Sequence, residues 1–173
     1  MSSTAHIYCL DANVLIQAWQ KYYAPDLCPD YWDILNKLGS QGRIFIPEEV
    51  KNEIVVTDDK EKAEDDLSKW LKRSSIPVHK PTEEVIKCWQ TILQANPLHQ
   101  LLVDNVKGRS LADPWIVSHA LNMKATVVTK EIFETAMNTK RIKIPNVCEN
   151  MVIRYIDDFT FVKELGLKFS CKI

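Results

Sequence analysis

The stretch His6 to Ile16, HIYCLDANVLI, changes its hydrophobic period at a single carboxylate. The residues before Asp11 form a short apolar run, as expected of a strand buried on both faces. Beyond it Val14, Leu15, Ala18 and Trp19 recur at helical spacing. A buried strand passing straight into a helix is the opening unit of an α/β chain. In such a sheet the carboxyl ends of the strands are where ligands bind, and Asp11 falls there. Asn13 lies two residues on and can donate a hydrogen bond that fixes a carboxylate. The plainer reading makes Asp11 a turn residue or the N-cap of the helix that follows.

The same alternation continues along the chain. Pro29 and Asp30 open a helix through Tyr31, Trp32, Ile34, Leu35 and Leu38, which Gly39 is expected to end. Arg43 to Ile46 reads as a strand, and Pro47 opens the helix PEEVKNEIVV. In that helix Glu53 lies between the directions of Val50 and Ile54, so it can approach the core side. Glu48 and Glu49 fall in the first turn, where the helix dipole favours them. Lys60 to Arg73 reads as a helix, Ile76 to Val78 as a short edge strand. Thr82 caps a helix over 83–94 with Val85, Ile86, Trp89 and Leu93 buried, and Asn96-Pro97 breaks it. Leu98 to Gly108 reads as helix and then loop. In LADPWIVSHALNM, Asp113 reads as an N-cap with Pro114 at the first helical position. Ala125 to Thr129 reads as a buried strand that delivers Thr129, Lys130 and Glu131 at its carboxyl end. A short helix from Ile144, a strand over 152–156 and a helix over 158–165 ending at Gly166 complete the chain. Strands alternating with helices imply a largely parallel sheet, and 173 residues suit one domain spanning 1–173.

Composition removes several classes. Apolar content of 46% and charged content of 26% are ordinary for a soluble globular protein. No apolar run approaches a membrane span, and MSSTAH lacks the regions of a signal peptide, so a cytoplasmic location is expected. Cys9, Cys28, Cys88, Cys148 and Cys171 are scattered without a Cys-x-x-Cys pair, which argues against disulfide frameworks and structural zinc. A net charge of −1 gives no overall pull toward nucleic acid, although charge is segregated. Asp58 to Asp66 is acidic, and Lys140, Arg141 and Lys143 cluster; each run reads first as a solvated face. No HExxH, Walker, GxSxG or dinucleotide-glycine pattern occurs, and the four histidines have no obvious serine or cysteine nucleophile.

Four carboxylates stand out by position: Asp11 and Glu131 at strand ends, Glu53 on a helix, Asp113 at a helix start. With LDANVLI, IPEEVKNEI, LADPWIVSHAL and ATVVTKEIF around them, the chain resembles the PIN-domain family of metal-dependent nucleases over nearly its whole length. The DAN triplet, YYAPDLCPDYW, DPW and IPNVCENM resemble a bacterial branch associated with toxin–antitoxin pairs. The resemblance implies a single three-layer α/β domain with a central, mainly parallel sheet flanked by helices. It implies Asp11, Glu53, Asp113 and Glu131 as the acidic set, Asp11 and Asp113 foremost as metal ligands, Glu131 through water, and Glu53 on metal or water. Asn13 and Thr129 support them. Glu131 stands where the family more often has aspartate, and Ala12 where many members have a hydroxyl.

Crowded carboxylates repel one another and take up protons unless a cation is present. Hard oxygen ligands suit Mg²⁺ or Mn²⁺. The resemblance therefore implies a metal-dependent endoribonuclease leaving a 5′-phosphate and a 3′-hydroxyl, held by a cognate antitoxin. A non-catalytic PIN-like module that binds RNA or protein is the alternative. A receiver-like phosphoacceptor would need a paired acid at the first strand end, which DAN lacks. Lys107, Arg109, Lys130, Lys140, Arg141 and Lys143 are the candidate phosphate contacts. The aromatic segment from Tyr22 to Trp32 is expected to be core between two helices, or in part a dimer or antitoxin contact.

Overall fold

Strand β1, Tyr8–Leu10, is the centre of the molecule. In the computed structural model, which describes residues 6–55, 65–103, 112–136 and 141–169, it pairs in parallel with β2 (Ile44–Pro47) on one side and β4 (Thr126–Val128) on the other. The outer strands are β3 (Val78–His79) and β5 (Tyr155–Ile156), giving the order β3-β2-β1-β4-β5. Every pairing is parallel. The inner strands are buried throughout, as continuous apolar runs require. The edges are only two residues long, which leaves little backbone for unwanted pairing.

Helices α1 (Ala12–Gln17), α2 (Pro29–Ser40), α3 (Glu48–Ile54), α4 (Asp66–Arg73), α5 (Glu83–Ala95), α6 (Ala112–Met123), α7 (Ile144–Met151) and α8 (Asp158–Glu164) flank the sheet. A π-helical turn, Ala18–Tyr22, extends α1, and a 3-10 turn, Pro97–Leu102, follows α5. The expected α/β architecture with a parallel sheet is the one observed.

Several local expectations are corrected. Gly39 does not end α2. It lies inside the last turn, where a Cβ would come within 2.7 Å of the Ile76 Cα and the Ser75 carbonyl. Glycine is needed there for close backbone approach, and the chain turns at Gly42, with φ of +66°. In α5, Val85 and Ile92 are the buried positions, whereas Ile86 is exposed and Leu93 half-buried. A helix packed chiefly on one neighbour, α6, buries a narrower stripe than a full apolar face. Thr82 does cap α5 through Val85 N–H. The last strand is shorter than its apolar run, Tyr155–Ile156 alone. Of the helix expected over 60–73, residues 60–64 lie outside the described residues, as do 104–108 of the segment after Asn96-Pro97; Asp65 caps what is described.

Candidate active site at the carboxyl edge of the sheet

Strand order reverses at β1: β2 lies to one side and the later β4 to the other. Crevices form outside the carboxyl ends of strands at such a switch. Asp11 follows the last residue of β1, and Thr129 the last residue of β4. Their backbones are pinned by the sheet, Asp11 N–H to the Val128 carbonyl and Thr129 N–H to Ile156, both at 3.0 Å. Across the switch the Thr129 hydroxyl donates to Asp11 Oδ2 at 2.8 Å, with both residues buried. Asp11 holds the N-cap position of α1 but makes no capping hydrogen bond with its side chain. Its carboxylate is turned to Thr129, so capping does not account for it. The nearby backbone N–H groups of Ala12 and Asn13 ease its charge without closing a cap.

Three further acids feel the same pocket. Burial, more than anything else, pushes Asp11 up to about 6; the Thr129 hydrogen bond opposes this and the charge of Glu131 adds to it. Burial pushes Asp113 up to about 7, with Asp11 and Glu131 adding and Arg141 and Lys143 opposing. Burial and then the charges of Asp11 and Asp113 push Glu53 up to about 8. Residues separated by up to 120 positions thus act on one another. The cause is burial first, and then like charges that the nearby cations offset only in part.

Glu131 is engaged differently. Its Oε1 meets Arg141 Nη2 at 3.2 Å and Lys143 Nζ at 3.6 Å, and its Oε2 accepts Ile144 N–H at 2.8 Å. Glu131 therefore holds the start of α7, where an anion is favoured. Arg141 also reaches within 4.0 Å of Asp113 Oδ2. Asp113 itself lies inside the first turn of α6, which begins at Ala112, so it is not the N-cap expected from Asp-Pro. Asn13 is exposed, and its side chain makes no hydrogen bond to any of the four acids; Thr129 supplies the fixing donor. Lys130, expected as a phosphate contact, has its Nζ engaged by Asp158 at 2.8 Å. Lys107, Arg109 and Lys140 lie outside the described residues, as does Cys171, and the other four cysteines are free thiols. His119 is buried beside Phe45 and His79. Of the aromatic segment, Tyr31 and Trp32 are core, and Tyr22 is exposed.

The donor set is all oxygen, which suits a hard divalent ion. Among the described residues no three acidic, histidine or cysteine side chains are grouped so as to hold one ion. An octahedral ion that keeps most of its water asks only one or two carboxylates of the protein.

The family described as "Domain of unknown function (DUF4411)" matches residues 8–169. The chain belongs to the DUF4411 family. No curated protein matches it. Among solved structures, this DUF4411 chain is similar to a chain of VapBC2 from Rickettsia felis bound to a DNA fragment from its promoter. Identity is 21%, coverage 87% of this chain and 98% of that one, and the TM-score 0.57. It also matches a chain of DNA-bound VapBC from Salmonella typhimurium at 16% identity, covering 88% and 98%, with a TM-score of 0.49. The first likeness is one of fold: this DUF4411 member shares that chain's architecture, here a central parallel sheet flanked by helices.

Proposed function

We propose that this protein is a metal-dependent endoribonuclease and the toxin of a cytoplasmic toxin–antitoxin pair. The observation that carries the reading is the convergence of Asp11, Asp113 and Glu53 at the strand-order switch, each held well above the usual carboxylate range. Buried acids that raise one another's pKa are costly to a fold and gain purpose where a cation neutralises them. Asp11 and Asp113 would hold Mg²⁺ or Mn²⁺, with Glu131 acting through water. When bound, the ion would polarise a phosphoryl oxygen and activate a water for in-line attack on a phosphodiester. Thr129 orients Asp11. Glu53, the most readily protonated of the set, is suited to hold or accept a proton beside the attacking water. Arg141 and Lys143 balance the edge of the pocket on the side of α7. The likeness in fold to a chain of the VapBC2 complex supports a cognate antitoxin, and a homodimer remains part of the proposal. Among the described residues no helix is long and apolar enough to cross a membrane.

The engagement of Glu131 by Arg141, Lys143 and Ile144 N–H favours the second reading, a PIN-like module that binds RNA or protein without cutting it. One experiment separates them. Purified protein is incubated with assorted RNAs and Mn²⁺ or EDTA, beside Asp11→Asn. The nuclease reading expects cleavage only with metal and a loss of at least about 100-fold in the variant, as when an electrostatic partner of the transition state is removed. Binding without cleavage supports the module. Cleavage in EDTA, or equal cleavage by the variant, refutes the metal site.

A further inference from the structure

Beside the carboxylates, on the other flank of Arg141, lies a cleft of about 330 Å³. It is lined by Leu98, Leu101, Phe133, Asn146 and Asn150 as well as Arg141. Its volume suits a small planar ligand. Arg141 belongs to both places, because its guanidinium also meets Glu131 at 3.2 Å and Asp113 at 4.0 Å. Two cleft walls are tied together through the Asn146 amide. Asn146 accepts Glu134 N–H at 3.1 Å and donates to the Glu134 carbonyl at 2.8 Å, which ties the loop carrying Phe133 to α7.

Asn150 is oriented by a second chain of hydrogen bonds. His99 is fully buried, and its Nδ1 lies 2.7 Å from the Ile92 carbonyl. A carbonyl only accepts, so Nδ1 carries the hydrogen. Nε2 of the neutral ring is then an acceptor, and Asn150 Nδ2 donates to it at 3.1 Å. The Asn150 amide is thereby fixed, with Oδ1 left without a hydrogen-bond partner among the described residues. His99 is a positioning residue acting through Asn150. Phe133, 43% exposed, offers an aromatic face in the same cleft that stacks on no other ring among the described residues.

We infer that this cleft is a nucleobase subsite, which stacks one base of single-stranded RNA on Phe133 and reads its edge with Asn150, while Arg141 leads the adjoining phosphate to the carboxylates. The inference rests on the nuclease reading for the direction of the strand. It has its own observations in the flat ring, the oriented amide and the shared arginine. An aromatic platform accepts every base, whereas an edge hydrogen bond discriminates among them. The two residues therefore have different signatures.

The test is fluorescence anisotropy in EDTA, where cleavage plays no part, with labelled octamers of A, C and U. Phe133→Ala should weaken all three by about tenfold, within the range one base–aromatic stack contributes, and Phe133→Trp should restore binding. Asn150→Ala should change the relative affinities of the three octamers, an effect that a merely structural role would not produce. Both positions are exposed, so folding is not at stake. Unaltered binding in both variants, or an equal effect of Asn150→Ala on all three octamers, overturns the subsite while metal-dependent cleavage by the parent still stands. Phe133-dependent binding without cleavage keeps the subsite and removes the nuclease. A parent that binds none of the octamers overturns the subsite, leaving the cleft to a protein partner.

Discussion

Thr129 and Lys130 are neighbours that each hold a buried aspartate, and the two aspartates are in opposite situations. Lys130 Nζ meets Asp158 Oδ1 at 2.8 Å beneath the rings of Tyr22 and Phe159, 4.5 and 4.9 Å from their centroids. That carboxylate has its counter-ion built in, and the cation is itself covered by aromatic faces. Asp11 receives only a hydroxyl from Thr129 and is surrounded by Glu53, Asp113 and Glu131. A buried charge supplied with its partner is a structural device. A buried charge supplied with like charges is a place for a cation from outside. The two sites lie one residue apart on one strand end, so composition alone does not separate them.

The largest expected effect breaks the paired side of this contrast. Lys130→Met leaves Asp158 buried and alone, and should cost about 3 kcal/mol in urea unfolding while leaving the stabilisation by Mn²⁺ intact. A loss under about 0.5 kcal/mol would mean that the pair contributes little, and the contrast would fall.

On the unpaired side, the metal-free protein should lose stability as pH rises. Asp11, Asp113 and Glu53 keep their protons in the fold to about 6, 7 and 8, whereas the unfolded chain releases them near 4. The native state then binds more protons across that window, so stability is full below it and falls as pH climbs through the folded values. His119, lowered to about 4 by burial and by His79, acts in the opposite direction below 6.5. The clean interval is therefore pH 6.5 to 8. There a fall of about 1 kcal/mol is expected, set mainly by Asp113, since solvent screens the more exposed Glu53. Saturating Mg²⁺ should flatten it, and a flat metal-free curve would show that the acids do not crowd.

Asp11→Asn sharpens the same point at constant shape. In EDTA the variant should be as stable as the parent or more so, by about 1 kcal/mol for one relieved like-charge contact. With Mn²⁺ the order should reverse, because binding stabilises only the form that binds. Equal shifts in Tm on adding metal would take Asp11 out of the ligand set. The smallest effect concerns the cover over Lys130. Tyr22→Leu keeps an apolar contact with Phe159 and removes one ring face, for about 0.5 kcal/mol at this half-exposed site. A change near zero would leave Asp158 as the sole anchor of Lys130.

Much of this molecule is written in local patterns. The change of period at Asp11, the alternation of strands and helices, the Thr82 cap and the positions of four acids follow from sequence, because each depends on neighbours within a few residues. The helix phase of α5 did not, since Ile92 is chosen by the facing helix α6. Gly39 looked like a stop and is a contact, because the backbone it must admit at Ile76 comes from far along the chain.

The site divides in the same way. Sequence alone placed Asp11, Glu53, Asp113 and Glu131 on an α/β chain and made a cation the natural partner of so many carboxylates. It could not say which carboxylate already had company. Tertiary structure decided that Lys130 belongs to Asp158, that Glu131 holds the start of α7, and that Asn150 takes its orientation from a buried histidine 51 residues away. Charge and hydrophobic period are properties of a residue and its near neighbours, and a sequence displays them. The pairing of buried charges depends on which chain segments the sheet brings within about 4 Å, and only the folded chain determines that.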